Sequence, residues 1–341
     1  MKAVIMAGGM GTRLRSITGD TPKPMVPLLG RPMMEHIIIL LREQGFTDIC
    51  AAVRYRAGDI MGYFGDGSRF GVKLQYRVED RALGTAGGVK NCRDFYGGED
   101  FLVISGDAAC DFELRTLMDA HRSSGADAAI ALYRSREPLR YGLAVTDSGG
   151  LVRSFIEKPD WSRVVTDLVN TGIYVLSPRA MELVPDGAEY DFGKQLFPQL
   201  LERSGTILGV PMDGYWCDVG TPLSYYRCCV DALERRLRLD LPEQFRHGSE
   251  SKAEDTPENA DYAEECPCKS RAELMGALSE LMLDMGADYS DGLRLRTERY
   301  SLHIRPCADR SAVRIGVRAD DAEFAKELAL SAKALAQALK L

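Results

Sequence analysis

The residues best suited to chemistry stand near the start of the chain, in Met6-Ala-Gly-Gly-Met-Gly-Thr-Arg13 and Pro22-Lys-Pro-Met25. Gly8, Gly9 and Gly11 let the backbone approach a phosphate closely and aim N–H groups at it. Thr12 adds a hydroxyl, and Arg13 a permanent charge with a fixed fork of donors that matches phosphate oxygens. Lys23 stands between two prolines, which stiffen the backbone beneath it. Together these residues suit a loop that grips a nucleoside triphosphate and releases pyrophosphate. Two other phosphate loops are excluded. The dinucleotide pattern G-x-G-x-x-G has Leu14 where its third glycine belongs, and the string G-x-x-x-x-G-K-[ST] is absent. The glycines taken alone would equally fit a plain turn after a strand.

Transfer at an α-phosphorus builds charge on the α-phosphate and on departing pyrophosphate. Catalysis is then mostly positioning and charge neutralisation. It calls for cations, and for carboxylates able to hold Mg²⁺. Asp107 closes the apolar run Phe101-Leu-Val-Ile-Ser-Gly-Asp107, at the strand end where α/β sheets bind ligands. Asp218, in Trp216-Cys-Asp-Val-Gly-Thr-Pro222, reads by itself as a structural residue before a turn. Leu83-Gly-Thr-Ala-Gly-Gly88 is a second Gly-rich turn opening a helix, and Glu157-Lys158 taken alone fits a surface ion pair of little energetic weight.

The elements that must position these residues follow from apolar spacing. Lys2 to Ala7 is a buried first strand, and Pro32 to Gln44 a helix with Met33, Met34, Ile37, Ile38 and Leu41 on one broad face and Gly45 as its stop. Strands are expected at Ile49–Val53, Val72–Tyr76, Phe101–Ile104 and Ala126–Leu132, with a helix at Glu113–Ser123. The continuous apolar run at Phe101–Ile104 marks a buried parallel strand. This βαβ rhythm predicts an α/β fold with a doubly wound sheet. Antiparallel character follows: Leu143–Val145 and Leu151–Ile156 flank the turn Asp147-Ser-Gly-Gly150, and Val169–Leu176 is a further strand. Helices are expected at Pro178–Val184, Phe192–Arg203 and Tyr225–Leu237.

Composition then changes. Leu241 to Glu265 holds eight acidic and two basic residues, two prolines, and no Ile, Val or Met, so residues 241–261 are expected to be a flexible acidic linker between a domain at 1–240 and one at 262–341. The last segment reads as a small α+β domain. It has a helix at Ala272–Met285 ended by Gly286, hairpin strands at Leu293–Arg296 and Ser301–Arg305, a third strand at Ala312–Val317, and a final helix capped by Asp320 or Asp321 with Phe324, Leu328, Leu335 and Leu339 on one side.

The chain of 341 residues is long enough for two domains, and its hydrophobic content of 45% is ample for a core. A net charge of −7 argues against a general nucleic-acid binder. No apolar stretch is long enough to span a bilayer, and the chain opens directly on strand residues, so neither a secretory leader nor a membrane association is expected. The nine cysteines are odd in number and scattered, and read as reduced thiols of a cytoplasmic protein. Cys266-x-Cys268 lacks the partners of a zinc site, and His36, His121, His247 and His303 show no ligand spacing.

The string from Lys2 through Gly30-Arg-Pro-Met33, with the later motifs in the same order up to about residue 237, resembles the sugar-1-phosphate nucleotidylyltransferases. Ser16 stands where that family usually has proline. The resemblance implies a Rossmann-like nucleotidyltransferase sheet and Mg²⁺-dependent transfer of a nucleoside monophosphate from an NTP to a sugar 1-phosphate. It implies Asp107 and Asp218 as metal ligands, Arg13 on the β/γ-phosphates, and Lys23 on the α-phosphate and the acceptor's phosphate. Nucleotide contacts are implied at Ala7, Gly8, Gly9, Gly11 and Thr12, with the base read by Gly84 and Thr85 and, less directly, Glu79. Sugar contacts are implied at Gly142 (after Tyr141), Glu157, Lys158 and Asn170. Glu79, Leu83–Gly88 and the Trp-Cys-Asp-Val string look most like the mannose-1-phosphate guanylyltransferase branch, hence GTP and mannose 1-phosphate. Glucose-1-phosphate thymidylyl- and uridylyltransferases share most motifs. A heptose phosphate acceptor stays open, as does a non-catalytic nucleotide-sugar sensor, although a sensor would be expected to have lost Arg13, Lys23, Asp107 or Asp218.

Residues from about 262 onward resemble the last domain of phosphomannomutases and phosphoglucomutases, through Glu265-Cys-Pro267, Asp291-Gly-Leu293 and His303-Ile-Arg-Pro-Cys-Ala-Asp-Arg-Ser-Ala-Val-Arg-Ile315. Cys307, Ala308 and Asp309 replace that family's phosphate-binding loop, removing its hydroxyls and adding a negative charge. No mutase activity is expected, and the segment is read as an oligomerisation or regulatory module, a homo-oligomer being the partner it implies.

Overall fold

The computed structural model describes residues 1–14, 20–157, 159–233, 235–240, 260–267, 274, 275, 278, 293–296, 300–306, 312–319 and 321–338. Ser16, Lys158, His247, Cys268, the Cys307–Asp309 loop, linker residues 241–259 and most of the expected helix at 272–285 lie outside them. The chain divides into two compact units. One comprises residues 1–10, 22–26 and 32–218, the other residues 11–21, 27–31 and 219–341.

In chain order the elements up to residue 218 are β1 (Lys2–Ala7), the two-residue strands β2 (Pro27–Leu28) and β3 (Arg31–Pro32), α1 (Met33–Glu43), β4 (Asp48–Val53), α2 (Ala57–Phe64), β5 (Lys73–Val78), α3 (Gly84–Lys90), α4 (Arg93–Tyr96), β6 (Phe101–Ser105), β7 (Ala108–Cys110), α5 (Leu114–Ser124), β8 (Ala128–Arg134), β9 (Leu143–Thr146), β10 (Val152–Ile156), β11 (Leu168–Leu176), α6 (Pro178–Met181), α7 (Phe197–Glu202), β12 (Ile207–Pro211) and β13 (Trp216–Asp218). A π-helical turn, Phe192–Leu196, runs directly into α7.

The first unit is built on a nine-stranded sheet. Strand β1 lies between β4 and β6, parallel to both, and β5 adds parallel to β4. Strand β6 has β11 antiparallel on its other side, and β9 and β10 continue antiparallel beyond it. Strands β8 and β12, parallel to each other, branch off β11. The strand at Phe101 is thus where the parallel half of the sheet gives way to the antiparallel half.

Alternation along β1 shows why helices are needed on both faces. Ala3, Ile5 and Ala7 join a core with Met34, Ile37, Ile38 and Leu41 of α1, Ile60 and Phe64 of α2, and Leu114, Leu117 and Met118 of α5. Val4 faces the opposite core, with Ala86 and Val89 of α3, Phe95 of α4, and Phe197 and Leu200 of α7. Side chains at successive positions of a strand point to opposite faces, so a strand apolar throughout must be covered twice. This is the doubly wound arrangement expected from the sequence. Strands β7, β12 and β13 and helix α2 were not expected. Strands β7 and β13 have three residues each, β12 is interrupted by Gly209 and Pro211, and α2 contains two glycines; the strands pair with partners remote in sequence.

The second unit contains α8 (Pro222–Leu233), β14 (Ala260–Pro267), β15 (Leu293–Arg296), β16 (Tyr300–Pro306), β17 (Ala312–Ala319) and α9 (Ala322–Ala338). Its sheet runs β14-β17-β16-β15, antiparallel throughout. Asp321 Oδ1 accepts from Phe324 N at 2.7 Å, the cap expected for the last helix. Strand β14 overlaps the end of the expected linker: Ala260 and Asp261 pair with Ala319 and Arg318 of β17. Hydropathy hides this strand, because backbone pairing and the Lys333–Glu264 ion pair at 2.5 Å hold it. Helix α9 packs on β14, β17 and α8. Consequently α8 groups with the C-terminal sheet and not with the sheet of the first unit, a division that the composition change after residue 240 does not reveal.

Candidate active site

Lys23 lies in a one-turn 3-10 element, Lys23–Met25, fixed by Pro22 and Pro24, and its side chain is 8% exposed. Its Nζ donates to Asp107 Oδ2 and lies 3.5 Å from Asp218 Oδ1. The two carboxylates come from distant parts of the chain. They are neighbours because β7 and β13 form an antiparallel ribbon in which Asp218 faces Ala108, the residue after Asp107. Gly106 allows this: its N donates to Met6 O at 2.9 Å, and a β-carbon there would stand 2.8 Å from that oxygen. Asp107 is thereby delivered to the C-terminal end of β1, beside Ala7 and the start of the glycine loop.

The Ser105 hydroxyl donates to Asp107 Oδ1. Burial alone would raise the Asp107 carboxyl. The Lys23 ammonium, with hydrogen bonds from Lys23 and Ser105, outweighs it and holds the group below the usual carboxylate value. Ser105 was not singled out in the sequence, although its place two residues before Asp107 in Ser-Gly-Asp is a visible cue.

A second cluster surrounds the Leu83–Gly88 turn. Tyr190 O accepts from Ala86 N at 2.9 Å and Gly87 N at 3.0 Å, and Tyr190 N donates to Leu83 O at 2.8 Å. Gly84 has φ +69°, and a β-carbon there would lie 2.6 Å from Tyr190 O; one on Gly87 would collide with Ala188 O. These glycines let the turn close onto the 188–190 backbone. The Thr85 hydroxyl donates to Asp191 Oδ2 at 2.9 Å and accepts from Phe192 N at 3.0 Å, so that hydroxyl is already committed within the protein. Gly84→Ala is expected to cost about 1–3 kcal/mol from backbone strain, read as a lowered melting temperature. An unchanged melting curve would show that the turn relaxes freely.

Glu79 is buried behind this turn, and its Oε2 accepts from Leu83 N at 3.4 Å. Burial pushes its carboxyl above the ordinary value, against smaller lowering effects of the Leu83 N–H and Arg54. Gly8 and Gly88 both face Glu79 Oε1, and a β-carbon on Gly88 would stand 2.5 Å from it. The β1 loop, Glu79 and the Leu83–Gly88 turn therefore meet at one place.

Three of the expected sugar residues, Gly142, Glu157 and Asn170, also converge; Lys158 lies outside the described residues. A β-carbon on Gly142 would lie 3.0 Å from Glu157 Oε2. Asn170 N donates to Gly142 O at 2.8 Å, and Asn170 Oδ1 accepts from Gly172 N at 3.0 Å. Strand β11 shifts register between Asn170 and Tyr174, and Gly172, at φ +77°, approaches the Ser105 β-carbon. Irregular pairing of this kind re-aims side chains at a strand end. Trp216 braces the cluster: its Nε1 donates to Thr171 O at 3.1 Å, and its ring meets Tyr141 edge-on at 5.1 Å. Burial, with Cys217 and Asp218 nearby and Arg140 opposing, pushes the Tyr141 phenol up to about 12.

Gly11, Thr12 and Arg13 belong to the second unit. Thr12–Leu14 is a single 3-10 turn with Leu14 N bonded to Gly11 O at 2.9 Å, Leu14 buried and Arg13 exposed. In the same unit, the Tyr225 hydroxyl donates to Pro27 O at 2.8 Å, and Arg31 pairs with Asp240 at 3.2 Å. Among the described residues no group of three or more His, Cys, Asp or Glu side chains is arranged to hold a metal ion, and no helix is long and apolar enough to cross a membrane.

Residues 2–235 match the family described as nucleotidyl transferase. The chain is 39% identical over 251 residues to a UTP–glucose-1-phosphate uridylyltransferase of Synechocystis, covering 70% of this chain and 65% of that protein. It is 34% identical over 232 residues to a mannose-1-phosphate guanylyltransferase of Mycobacterium tuberculosis, covering 68% and 64%. It thus spans just under two thirds of the length of these two relatives. Among solved structures it is similar to HddC from Yersinia pseudotuberculosis in complex with GMP-PN, with a TM-score of 0.60, 30% identity, and coverage of 68% of this chain and 99% of that one.

Proposed function

The chain belongs to the nucleotidyl transferase family, and on that premise we propose that it transfers a nucleoside monophosphate from an NTP to a sugar 1-phosphate, releasing pyrophosphate. The observation that carries the reading is Lys23 held between Asp107 and Asp218 at the strand ends that also bear the glycine loop. A phosphate oxygen of the sugar 1-phosphate attacks the α-phosphorus, and the bond to the pyrophosphate oxygen breaks. No proton needs removal from a phosphate nucleophile, so the protein's task is alignment and charge neutralisation. In this reading Lys23 holds the α-phosphate and the incoming phosphate. Arg13 takes the β- and γ-phosphates, Glu79 and the Leu83–Gly88 turn hold the base, and Gly142, Glu157, Lys158 and Asn170 hold the sugar.

Asp107 and Asp218 are the residues that would hold Mg²⁺. They already share one cation, the Lys23 ammonium, and are 29% and 36% exposed. Two carboxylates with no third protein ligand among the described residues suit an ion whose remaining positions are filled by water and substrate phosphates. Bound there, Mg²⁺ would supply neutralisation of phosphate charge.

Within this reading GTP and mannose 1-phosphate are our preferred pair, supported by the Glu79 and Leu83–Gly88 motifs and the guanylyltransferase relative. UTP and glucose 1-phosphate form the second reading, favoured by the 39% identity to the uridylyltransferase. The test is pyrophosphate release from GTP, UTP, dTTP, CTP and ATP against mannose, glucose and heptose 1-phosphates with Mg²⁺. A strong signal with GTP and mannose 1-phosphate is the expected result. Silence across the matrix with tight binding of a nucleotide-sugar would instead identify a sensor.

A further inference from the structure

Arg54 directly follows β4, at the C-terminal end of the parallel strands, and no sequence motif pointed to it. It is half-buried, and its guanidinium has no hydrogen-bond or ion-pair partner among the described residues. Its charged neighbour is the Glu79 carboxyl. The two flank Gly8: a β-carbon there would lie 3.6 Å from the Arg54 β-carbon and 3.5 Å from Glu79 Oε1. Glu79 Oε2 has one long bond, from Leu83 N at 3.4 Å, and Oε1, kept clear by the missing β-carbons of Gly8 and Gly88, has no donor among the described residues. The Arg54 side chain, with a five-donor fork at its end, therefore leaves the backbone on one flank of Gly8 while the acceptor Glu79 Oε1 lies on another, next to the glycine loop, and neither has a hydrogen-bond partner among the described residues.

We propose that Arg54 selects the base, and that the base is guanine: the guanidinium donates to O6 and N7 while Glu79 accepts from N1–H and the N2 amino group. This rests on the reading of the site as a nucleotide site. The order of groups along the base edge decides the match. Guanine presents two adjacent acceptors, N7 and O6, followed by two adjacent donors. Adenine alternates acceptor, donor, acceptor, and so does uracil along O4, N3–H and O2, so neither satisfies both side chains at once. A buried polar group left unpaired by the wrong base penalises that base strongly.

The test is equilibrium binding of GTP, 7-deaza-GTP and UTP to the full chain and to its Arg54→Gln and Arg54→Lys variants, with melting curves confirming that each folds. The wild-type chain is expected to bind GTP about tenfold more tightly than 7-deaza-GTP, which lacks the N7 acceptor. Both variants should bind those two nucleotides equally, with UTP binding unchanged, because lysine keeps the charge but not the fork. An unchanged GTP to 7-deaza-GTP ratio in the variants, or an equal weakening for all three nucleotides, would overturn the assignment. Should the chain bind GTP with the expected ratio yet release no pyrophosphate with any sugar phosphate, the transfer reading fails and the role of Arg54 stands. Failure to bind any nucleotide removes both.

Discussion

Asp107→Asn is expected to lower turnover by roughly 10²- to 10³-fold, the scale of losing one preorganised electrostatic group at a phosphate centre, while the chain stays folded. The substitution keeps the shape, and the amide can still meet Ser105 and Lys23. Lys23 also keeps Asp218 at 3.5 Å, so no buried charge is stranded and the loss of stability stays within about 1–2 kcal/mol. What disappears is the negative charge available to a divalent cation. Pyrophosphate release at saturating NTP and Mg²⁺, compared with a melting curve, separates the two effects, and near-normal turnover would refute the metal-holding role. The same carboxyl sets an acid limit. Its folded-state value lies below the unfolded one, so its stabilisation is present above the unfolded value of about 3.9 and is lost as the pH falls through the folded value. Asp107→Asn should flatten the wild-type loss of stability in that acidic window.

Lys23→Met is expected to have the larger effect on stability. It removes the cation that two carboxylates share and leaves like charges facing each other. Breaking a buried pair from one side costs about 3–5 kcal/mol. Here the cost falls toward the lower end, because Asp107 and Asp218 are 29% and 36% exposed and water screens them. Transfer should be lost with it, since no other described side chain donates to both carboxylates. Mg²⁺ provides a readout independent of turnover. With Lys23 gone, an added divalent cation can take its place, and the melting temperature of Lys23→Met should rise with Mg²⁺ more than that of the wild type. If Mg²⁺ has no such effect, Asp107 and Asp218 are not its ligands.

Much of the fold was legible in the chain because β1, β4 and β6 are covered on both faces and carry unbroken apolar runs at Ala3–Ala7, Ile49–Val53 and Phe101–Ile104, while α1 and α5 carry apolar residues at helical spacing and are each followed by a glycine. Local sequence determines such elements, since burial imposes its period directly. The glycine loop, Lys23 between its prolines, and Asp107 at a strand end were legible for the same reason: each depends on residue type and immediate neighbours. Strand β14 was not, because its stability comes from pairing with β17 and from the Lys333–Glu264 ion pair, neither of which leaves an apolar period. The grouping of α8 with the C-terminal sheet was hidden likewise, since it depends on what α9 packs against.

By itself, then, the sequence determined which groups are present: a glycine loop, a stiffened lysine, two aspartates and a set of polar residues in a fixed order. Tertiary structure alone decided which of them meet. Asp218, unremarkable in its own string, becomes a partner of Asp107 only through the β7–β13 ribbon, and Arg54 acquires meaning only because Gly8 and Gly88 leave room for Glu79 beside it. Charge interactions act over a few ångströms of space regardless of separation along the chain, so they become visible only once the backbone has closed the distance.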